Sequence, residues 1–400
     1  MTQTSRKWSL RLLVVALCIS TTTVSHLFAT GITEDPVTVT QASVGDLLAR
    51  AVPQPQLSRF ANGYRVSAVG DLKIIEVLRP FPGATSEDTQ IYVLYPRELD
   101  PPLIDGADQV IGVPVDSVTS MSTTFLAHLE KVNQTELVTA VDSLAFVYSQ
   151  QYRSRSGEIA EIGSGPSVDV EQLIVLDPDL IIVNSFGGEF DAAPALAEAE
   201  LPVVISGDWL ENDPLGRAEW FVFTSLFVGQ ETVATGLMSE IAAEYERLSE
   251  LGRSAADKPT VLINAPFQGT WSIAGGESYA ARFIKDAGGS YVYSDDESTG
   301  ALFFDLEAVF AEAGDAEIWI NPGQWASLDQ ARAEDERYEE FRAFAQGALY
   351  NYNARMSANG AIDYFESGAL NPDIVLADLI AIFHPELLPG HELYYYQRLE

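Results

Sequence analysis

The sequence predicts an α/β protein with two lobes of parallel sheet on either side of one long helix. From residue 110 onward, short apolar runs such as "QVIGVPV" alternate with helically spaced runs such as "TTFLAHLEKV". Residues 214–256 are almost wholly helical in pattern, and the alternation of strand and helix restarts after residue 259. Such alternation is typical of βαβ units, in which a parallel sheet is buried on both faces.

The first residues have the pattern of a secretory signal. Basic residues precede the apolar run "LLVVALCIS" (12–20), which is too short to span a membrane. We therefore expect residues 1–29 to be removed and the mature chain to lie in the periplasm or on the extracytoplasmic face. A lipid anchor on Cys18 is disfavoured, because Leu17 stands where a small residue is wanted.

The remaining chain begins with early strands. "YRVSAVGDLKIIEVLRPF" (64–81) and "TQIYVLYPR" (89–97) alternate and are rich in Val, Ile and Tyr, which predicts strands joined by a turn. The sequence does not explain the role of residues 57–110. The predicted domains are a signal peptide at 1–29, an N-terminal lobe with the early β-strand extension at 30–229, a connecting helix at 230–256 and a C-terminal lobe at 257–400.

The composition limits the partners of this protein. The chain carries 58 acidic and 23 basic residues and a formal net charge of −35. We expect no nucleic-acid partner, because phosphate binding requires clustered Lys and Arg. Separately, we expect the protein to be a monomer. An acidic surface suits a saline habitat, where salt screens self-repulsion, and it equally suits plain solubility. Since Cys18 is the only cysteine, a mature chain that begins after it can form no disulfide.

One structural plan occurs twice along the chain. "VEQLIVLDPDLIIVN" (170–184) and "LEAVFAEAGDAEIWIN" (306–321) each follow an aspartate that is a plausible N-cap, and each carries a glutamate in the first helical turn. These glutamates either complement the helix dipole or present two fixed charges to one partner. Helical spacing predicts that the apolar residues of both helices point inward, namely Val170, Leu173, Ile174, Leu306, Val309 and Phe310.

Several segments, taken together and in order, resemble a known family. "EQLIVLDPDLIIV", "LPVVIS", "AEWFVFTSLFVG" and "ESYAARFIKDAGG" are similar to segments of the substrate-binding proteins of ABC importers for iron–siderophores, haem and cobalamin (vitamin B12). The similarity covers roughly residues 60–400. It implies two Rossmann-like lobes joined by one long helix, with the ligand in a cleft between the lobes. It also implies no resident cofactor, although the transported ligand can itself contain iron or cobalt.

The resemblance also assigns a role to the repeated glutamates. In the family, one glutamate on each lobe docks onto arginines of the membrane permease, and the corresponding residues here are Glu171 and Glu307. An Arg–carboxylate pair suits this task because it is directional and separable in a wet interface.

The cleft is expected at the carboxyl ends of the parallel strands, where crevices open in such sheets. The loops after the predicted strands carry aromatic side chains and a few cations, which suit a large, flat or metal-chelated organic ligand with anionic groups. Ordinary packing and surface salt bridges are the alternative role for the same residues. The candidate ligand-binding residues are Trp271, Trp325, Trp209, Tyr279, Tyr148, Tyr152, Arg217 and Arg153.

Other functions fit less well. A directly bound zinc or manganese ion requires clustered imidazoles, but His128 lies far in sequence from His384 and His391. A secreted hydrolase requires a nucleophile elbow, and the spacing in "IGSGPS" (162–167) does not match one. A glycosidase requires only a pair of carboxylates, and a chain with 58 acidic residues could supply such a pair. A ligand sensor that is not coupled to transport has the same capture step and stays an alternative. We therefore expect no catalytic residues and no metal site of the protein's own.

Overall fold

The computed structural model describes residues 41–188 and 190–400. The predicted signal peptide and Cys18 lie outside these residues. Within the described part, no helix is both long enough and apolar enough to cross a membrane. The predicted α/β class with two parallel sheets is confirmed, although the sheets are accompanied by an antiparallel extension and a small third sheet.

An N-terminal extension precedes the first parallel sheet. Its central strands are antiparallel, and Gly70, with a φ of 56°, forms the turn that divides the predicted strand at 64–81 into a hairpin. The strand at 109–113 joins this sheet by pairing in parallel with the strand at 90–96. The elements are β1 (Gln41–Ser43), α1 (Val44–Leu48), β2 (Val52–Pro53), β3 (Tyr64–Val69), β4 (Leu72–Val77), β5 (Gln90–Pro96), β6 (Leu103–Asp105) and β7 (Gln109–Val113).

The first lobe is a five-stranded parallel sheet with helices between its strands. Its elements are β8 (Val118–Ser120), α2 (Thr123–Lys131), β9 (Val138–Val141), α3 (Gln150–Ser154), β10 (Ala160–Glu161), α4 (Val170–Leu176), β11 (Leu180–Asn184), α5 (Ala193–Glu198), β12 (Val203–Ser206) and α6 (Pro214–Phe227). The strand order is β10-β9-β8-β11-β12, so the direction of winding reverses between β8 and β11. A crevice opens at the carboxyl ends of the strands where such a reversal occurs.

The long helix predicted at 230–256 is α7 (Glu231–Arg253), which has 23 residues. It is separated from α6 by Gly229, whose φ of 66° lies in the left-handed region. The helical region predicted at 214–256 therefore consists of two helices, α6 and α7. A residue without a Cβ adopts this conformation at little cost, which explains the break.

The second lobe repeats the α/β plan and adds a small antiparallel sheet. Its elements are β13 (Thr260–Ile263), β14 (Pro266–Phe267), β15 (Thr270–Ala274), α8 (Tyr279–Asp286), β16 (Ser290–Tyr291), β17 (Ala301–Phe304), α9 (Leu306–Ala313), β18 (Ile318–Ile320), α10 (Leu328–Glu334), α11 (Arg342–Ala345), β19 (Leu349–Asn351), α12 (Asp363–Glu366), α13 (Pro372–Phe383) and β20 (Gln397–Arg398). The main sheet has the order β16-β13-β18-β19-β20, and only β20 is antiparallel to its neighbour. The strands β14, β15 and β17 form the small sheet.

A shared apolar core connects these parts. It contains Tyr64 from the extension, Trp220 from α6 and Trp271 from the second lobe. The ring centroids of Tyr64 and Trp220 are 4.8 Å apart, and α13 packs against α7. The assignment of the predicted segments to separate domains stays a prediction.

Two buried glutamates attach the extension to the first lobe. One oxygen of Glu219 accepts the backbone N–H groups of Phe60 and Ala61 at 2.6 and 2.8 Å. One oxygen of Glu211 accepts those of Asn62 and Gly63 at 2.9 and 2.7 Å. Because hydrogen bonds to an ionised acceptor are stronger than neutral ones, these carboxylates hold four consecutive residues of the extension.

We expect Glu219→Ala to lower the free energy of unfolding by about 3 kcal/mol, because it leaves two buried backbone N–H groups without an acceptor. Urea denaturation followed by circular dichroism measures the change. Glu240→Ala, which removes an exposed glutamate of α7, is the control and should change stability by no more than about 0.5 kcal/mol. Equal losses in the two variants would contradict the proposed attachment.

Candidate functional site

A cavity of about 530 Å³ lies at the carboxyl ends of strands β8 to β11, where the sequence predicts a cleft. Loops of the first lobe form most of its wall, and residues 360–365 of the second lobe form the opposite side. The described lining residues are Met121, Ser122, Thr123, Asp142, Phe146, Ser164, Gly165, Val183, Asn184, Phe186, Phe190, Ala192, Gly360, Ala361, Ile362 and Phe365. Its size is within the range of small-molecule sites.

Four phenylalanines give the cavity a largely aromatic and apolar lining. Phe146, Phe186 and Phe190 come from the first lobe and Phe365 from the second. Their exposed fractions run from 54% for Phe365 to 70% for Phe190, which is high for large apolar side chains. Apolar rings that line a concave surface while open to water are typical of a ligand site. The sequence-based candidates are Trp, Tyr and Arg residues and include none of these four phenylalanines.

The loop after β11 places two of these rings. Gly187 and Gly188 have φ values of 71° and 80°, so the turn requires residues without a Cβ. The carboxylate of Asp191 accepts the N–H groups of Phe186 and Gly187 at 3.2 and 3.0 Å. The motif "FGG" before an aspartate is therefore the sequence signal that could have identified Phe186.

Three of the predicted ligand-binding residues lie together behind this wall. The Trp209 ring is 5.0 Å from the Phe186 ring, and the Arg217 guanidinium lies 5.0 Å from the Tyr279 ring centroid. Arg217 Nε is 3.8 Å from a carboxylate oxygen of the buried Asp208. Burial raises the pKa of the Tyr279 hydroxyl. Trp209 Nε1 and Arg217 Nε are buried and have no hydrogen-bond partner among the described residues, so this contact between the lobes can bind further polar atoms.

Three other predicted residues are packed inside the lobes. Trp271 stacks on Trp319 at 5.3 Å, and its Nε1 donates to the carbonyl of residue 263 at 3.0 Å. Trp325 Nε1 donates to the Glu334 carboxylate at 2.8 Å, and the Tyr152 hydroxyl donates to the carbonyl of residue 126 at 2.8 Å. None of the three lines the cavity, because each ring is buried and its polar atom is already bonded. Their contact with the ligand stays a prediction that this packing does not favour.

Tyr148 and Arg153 line a different crevice, of about 770 Å³, between the two lobes. On its opposite side, Arg355 lies between the rings of Tyr148 and Tyr394, with centroid distances of 5.4 and 4.2 Å. Arg355 also forms an ion pair with Asp363 at 2.6 Å. Tyr148, Tyr394, Arg355 and Asp363 thus form a stacked and charged contact across the lobes.

Residues 355–371, the cross-lobe segment, separate this crevice from the cavity. The segment contains α12, which packs against α2 of the first lobe. Asn359 Nδ2 donates to the carbonyl of residue 145 at 2.9 Å. The Glu366 carboxylate accepts the N–H groups of Tyr148 and Ser149, at the start of α3, at 2.6 and 2.9 Å. One segment of the second lobe therefore forms a cavity wall and also fastens the lobes together.

Glu366 is electrostatically unusual for a glutamate. Burial, with smaller contributions from the charges of Asp363 and Glu130, raises the pKa of its carboxyl to about 7. The two N–H donors act in the opposite direction, because they stabilise the ionised form. The contact between the lobes consequently changes its protonation state near neutral pH.

The three histidines of the described part of the chain, His128, His384 and His391, each lie within hydrogen-bond distance of a polar group and are not clustered. His128 Nδ1 is 2.9 Å from the Thr224 hydroxyl, and burial lowers the pKa of the imidazole to about 4. His391 Nε2 is 2.7 Å from the Asp378 carboxylate. Across residues 41–188 and 190–400, no group of three or more His, Cys, Asp or Glu side chains could hold a metal ion.

The two repeated stretches form α4 and α9, each followed by a parallel strand. Asp169 and Asp305 cap them, accepting backbone N–H groups at 2.9 and 2.8 Å. Glu171 and Glu307 are both exposed, and Glu307 pairs with Arg337 at 2.6 Å.

The prediction that all apolar residues of α4 and α9 point inward is wrong for two of them. Leu173 and Val309 are fully buried, but Ile174 is 55% exposed and Phe310 is 38% exposed. Both helices are short, of seven and eight residues. Each packs only a narrow row of side chains against its sheet, which leaves the edges of the apolar stripe in water.

Comparison with protein families supports the same architecture. The family described as periplasmic binding protein matches residues 118–356, which begin at β8 and leave out the N-terminal extension. An uncharacterized lipoprotein of Methanocaldococcus jannaschii is 25% identical over 300 residues, covering 72% of this chain and 70% of that protein.

Solved structures show the same fold. The periplasmic haem-binding protein RhuT of Roseiflexus sp. RS-1 has a TM-score of 0.53 and 18% identity, covering 68% of this chain and 99% of that one. A periplasmic haem-binding protein of Pseudomonas aeruginosa has a TM-score of 0.51 and 17% identity, covering 68% and 93%. At such low identities the likeness concerns the fold and not the ligand.

The pKa of Glu366 predicts a pH-dependent stability. A carboxyl whose pKa is raised in the folded state contributes its stability fully below its ordinary pKa of 4.5, and that contribution is lost as the pH rises through about 7. We expect the wild type to lose about 2–3 kcal/mol relative to Glu366→Gln between about pH 4.5 and 7.5, because Gln cannot ionise.

Urea denaturation of both proteins across this pH range measures the difference. Glu340→Gln, at an exposed glutamate, is the control and should follow the wild type at every pH. A constant difference between wild type and Glu366→Gln would show that this carboxyl does not titrate in the range.

Proposed function

The chain belongs to the periplasmic binding protein family, and from this we propose that it is the extracytoplasmic substrate-binding protein of an ABC importer. In this role it captures an iron complex, such as a ferric siderophore or haem, or cobalamin, and delivers it to a membrane permease. The protein acts outside the cytoplasm as a monomer and has no catalytic step.

The observation that carries this proposal is the phenylalanine-lined cavity between the lobes. Phe146, Phe186 and Phe190 offer ring faces from one lobe, and Phe365 offers one from the other. Aromatic rings bind large apolar surfaces with little loss of conformational entropy, since each has only two side-chain torsions. A ligand held between them contacts both lobes at once.

Capture is coupled to closure through the cross-lobe segment. The segment carries Phe365 into the cavity and, one residue later, Glu366 into its contact with the first lobe. A ligand that binds Phe365 therefore favours the arrangement in which Glu366 is bonded to α3. By this differential affinity it shifts the population toward the closed state.

Delivery depends on the exposed glutamates of α4 and α9. Glu171 and Glu307 lie in the first turns of corresponding helices, one in each lobe, and are held there by capped N-termini. Closure sets the distance between them, so a permease with paired arginines can distinguish the loaded protein from the empty one. Glu307 must exchange Arg337 for a permease arginine, which an exposed ion pair permits at little cost.

We expect Phe190→Ala to weaken ligand binding about tenfold, because removal of one ring from a stacked contact costs about 1.4 kcal/mol. Quenching of tryptophan fluorescence by haemin, cobalamin and ferric siderophores measures the affinity. Phe303→Ala is the matched control, because Phe303 is also 70% exposed but lies outside the cavity lining. If none of these compounds quenches the wild type, or if both variants lose affinity equally, the cavity is not the ligand site.

The docking role predicts a separation of binding from uptake. The double variant Glu171→Ala with Glu307→Ala should keep the ligand affinity of the wild type and abolish uptake in cells that express the importer, because both charges offered to the permease are gone. Glu198→Ala with Glu312→Ala removes one exposed helix glutamate from each lobe and should leave uptake intact. Reduced ligand affinity in the first pair, or normal uptake, would refute the docking assignment.

A further inference from the structure

We propose that the cavity selects uncharged or positively charged ligands and rejects anionic ones. This inference rests on the proposed function and narrows its substrate class. It differs from the sequence-based expectation of a ligand with anionic groups, which depended on arginines near the cleft.

The lining of the cavity lacks positive charge. Among the described lining residues, none is Lys, Arg or His, and the only ionisable side chain is Asp142. Burial raises the pKa of the Asp142 carboxyl; the nearby Glu161 carboxylate acts in the same direction, and the N–H of Ser143 opposes them. No cation is among the groups that act on Asp142, so an anionic ligand would meet like charge without compensation.

Two arginines on neighbouring elements each lie close to a carboxylate. Arg217 lies 3.8 Å from Asp208, whose other carboxylate oxygen accepts from Asn184 Nδ2 at 2.7 Å. Arg355 is paired with Asp363 at 2.6 Å and lines the crevice on the far side of the cross-lobe segment. Both carboxylates are buried and offset the positive charge of their arginines, so neither arginine presents an uncompensated charge to the cavity.

The charge of the whole chain acts in the same direction. A formal net charge of −35 repels anions from the surface and raises the local concentration of cations. Inside the cavity, an ion that loses its water and gains no opposite charge is strongly disfavoured. Ring faces, the Asn184 amide and the hydroxyls of Ser122 and Thr123 instead suit a neutral or cationic complex with apolar faces and amide edges.

This chemistry separates the known classes of iron complex. Hydroxamate groups cancel the charge of ferric iron, and a free terminal amine makes such a complex cationic. Catecholates leave the complex strongly anionic, and haem carries two carboxylates. The geometry therefore favours a trihydroxamate-type iron complex, or a neutral amide-rimmed cofactor such as cobalamin, over a catecholate or haem.

The test uses one ferric trihydroxamate in three forms. Its terminal amine is left free, acetylated or succinylated, which gives a cationic, a neutral and an anionic ligand of nearly the same shape. Fluorescence titration of the mature wild-type chain at low salt should show at least 100-fold weaker binding of the succinylated form than of the other two. The preference should shrink as sodium chloride is added, because screening weakens charge discrimination.

Asp142→Asn tests the source of the discrimination. The amide oxygen can still accept from the N–H of Ser143, which Asp142 does at 2.8 Å, but the charge is removed. We expect roughly tenfold weaker binding of the cationic form, an equal gain for the succinylated form and no change for the acetylated form. Asp100→Asn, at an exposed aspartate, should leave all three affinities unchanged.

The outcomes distinguish this inference from the function on which it rests. Binding of the succinylated form as tight as that of the others, or tight binding of haemin or a ferric catecholate without binding of any trihydroxamate or of cobalamin, overturns the charge selection and leaves the binding function standing. Absence of binding by every compound overturns both.

Discussion

Buried carboxylates that collect backbone N–H groups from distant parts of the chain hold this structure together. Glu219 and Glu211 do so for the extension, and Glu366 does so for the contact between the lobes. Asp378, on α13, accepts three consecutive N–H groups at residues 394–396. Loops that leave a sheet carry N–H groups without partners, and a charged acceptor satisfies two or three of them at once. Extension, cleft and C-terminus all depend on this device.

These buried carboxylates also explain part of the acidic composition of the chain. Part of the excess of Asp and Glu is structural rather than a property of the surface. Burial raises the pKa of both Glu219 and Glu366, so each site balances desolvation against its N–H donors. Another buried carboxylate, that of Asp208, lies 3.8 Å from Arg217 beside the cleft and offsets its charge. Buried carboxylates thus contribute to the acidic composition, to the attachment of distant segments and to the charge balance beside the cleft.

The fold was largely predictable from the sequence, and the site was predictable only to the level of loops. Periodicity locates buried strands, and the ends of those strands locate the cleft. It does not tell which side chains of a loop face the ligand. Trp271 lies in the small antiparallel sheet, whose register turns its ring into the core, whereas Phe186 is turned outward by two glycines. The cross-lobe segment was also missed, because its partners are more than 200 residues away in sequence and no local pattern records them.

The cross-lobe segment has an evolutionary consequence. Ile362 and Phe365 form cavity wall within a few residues of Glu366, which fastens the lobes. A substitution that adapts the wall to a new cargo also alters how long the lobes stay shut, and hence the residence time of that cargo. The same segment thus determines both which ligand is recognised and how fast it is released. A change of ligand specificity through this segment is therefore accompanied by a change in the residence time of the ligand.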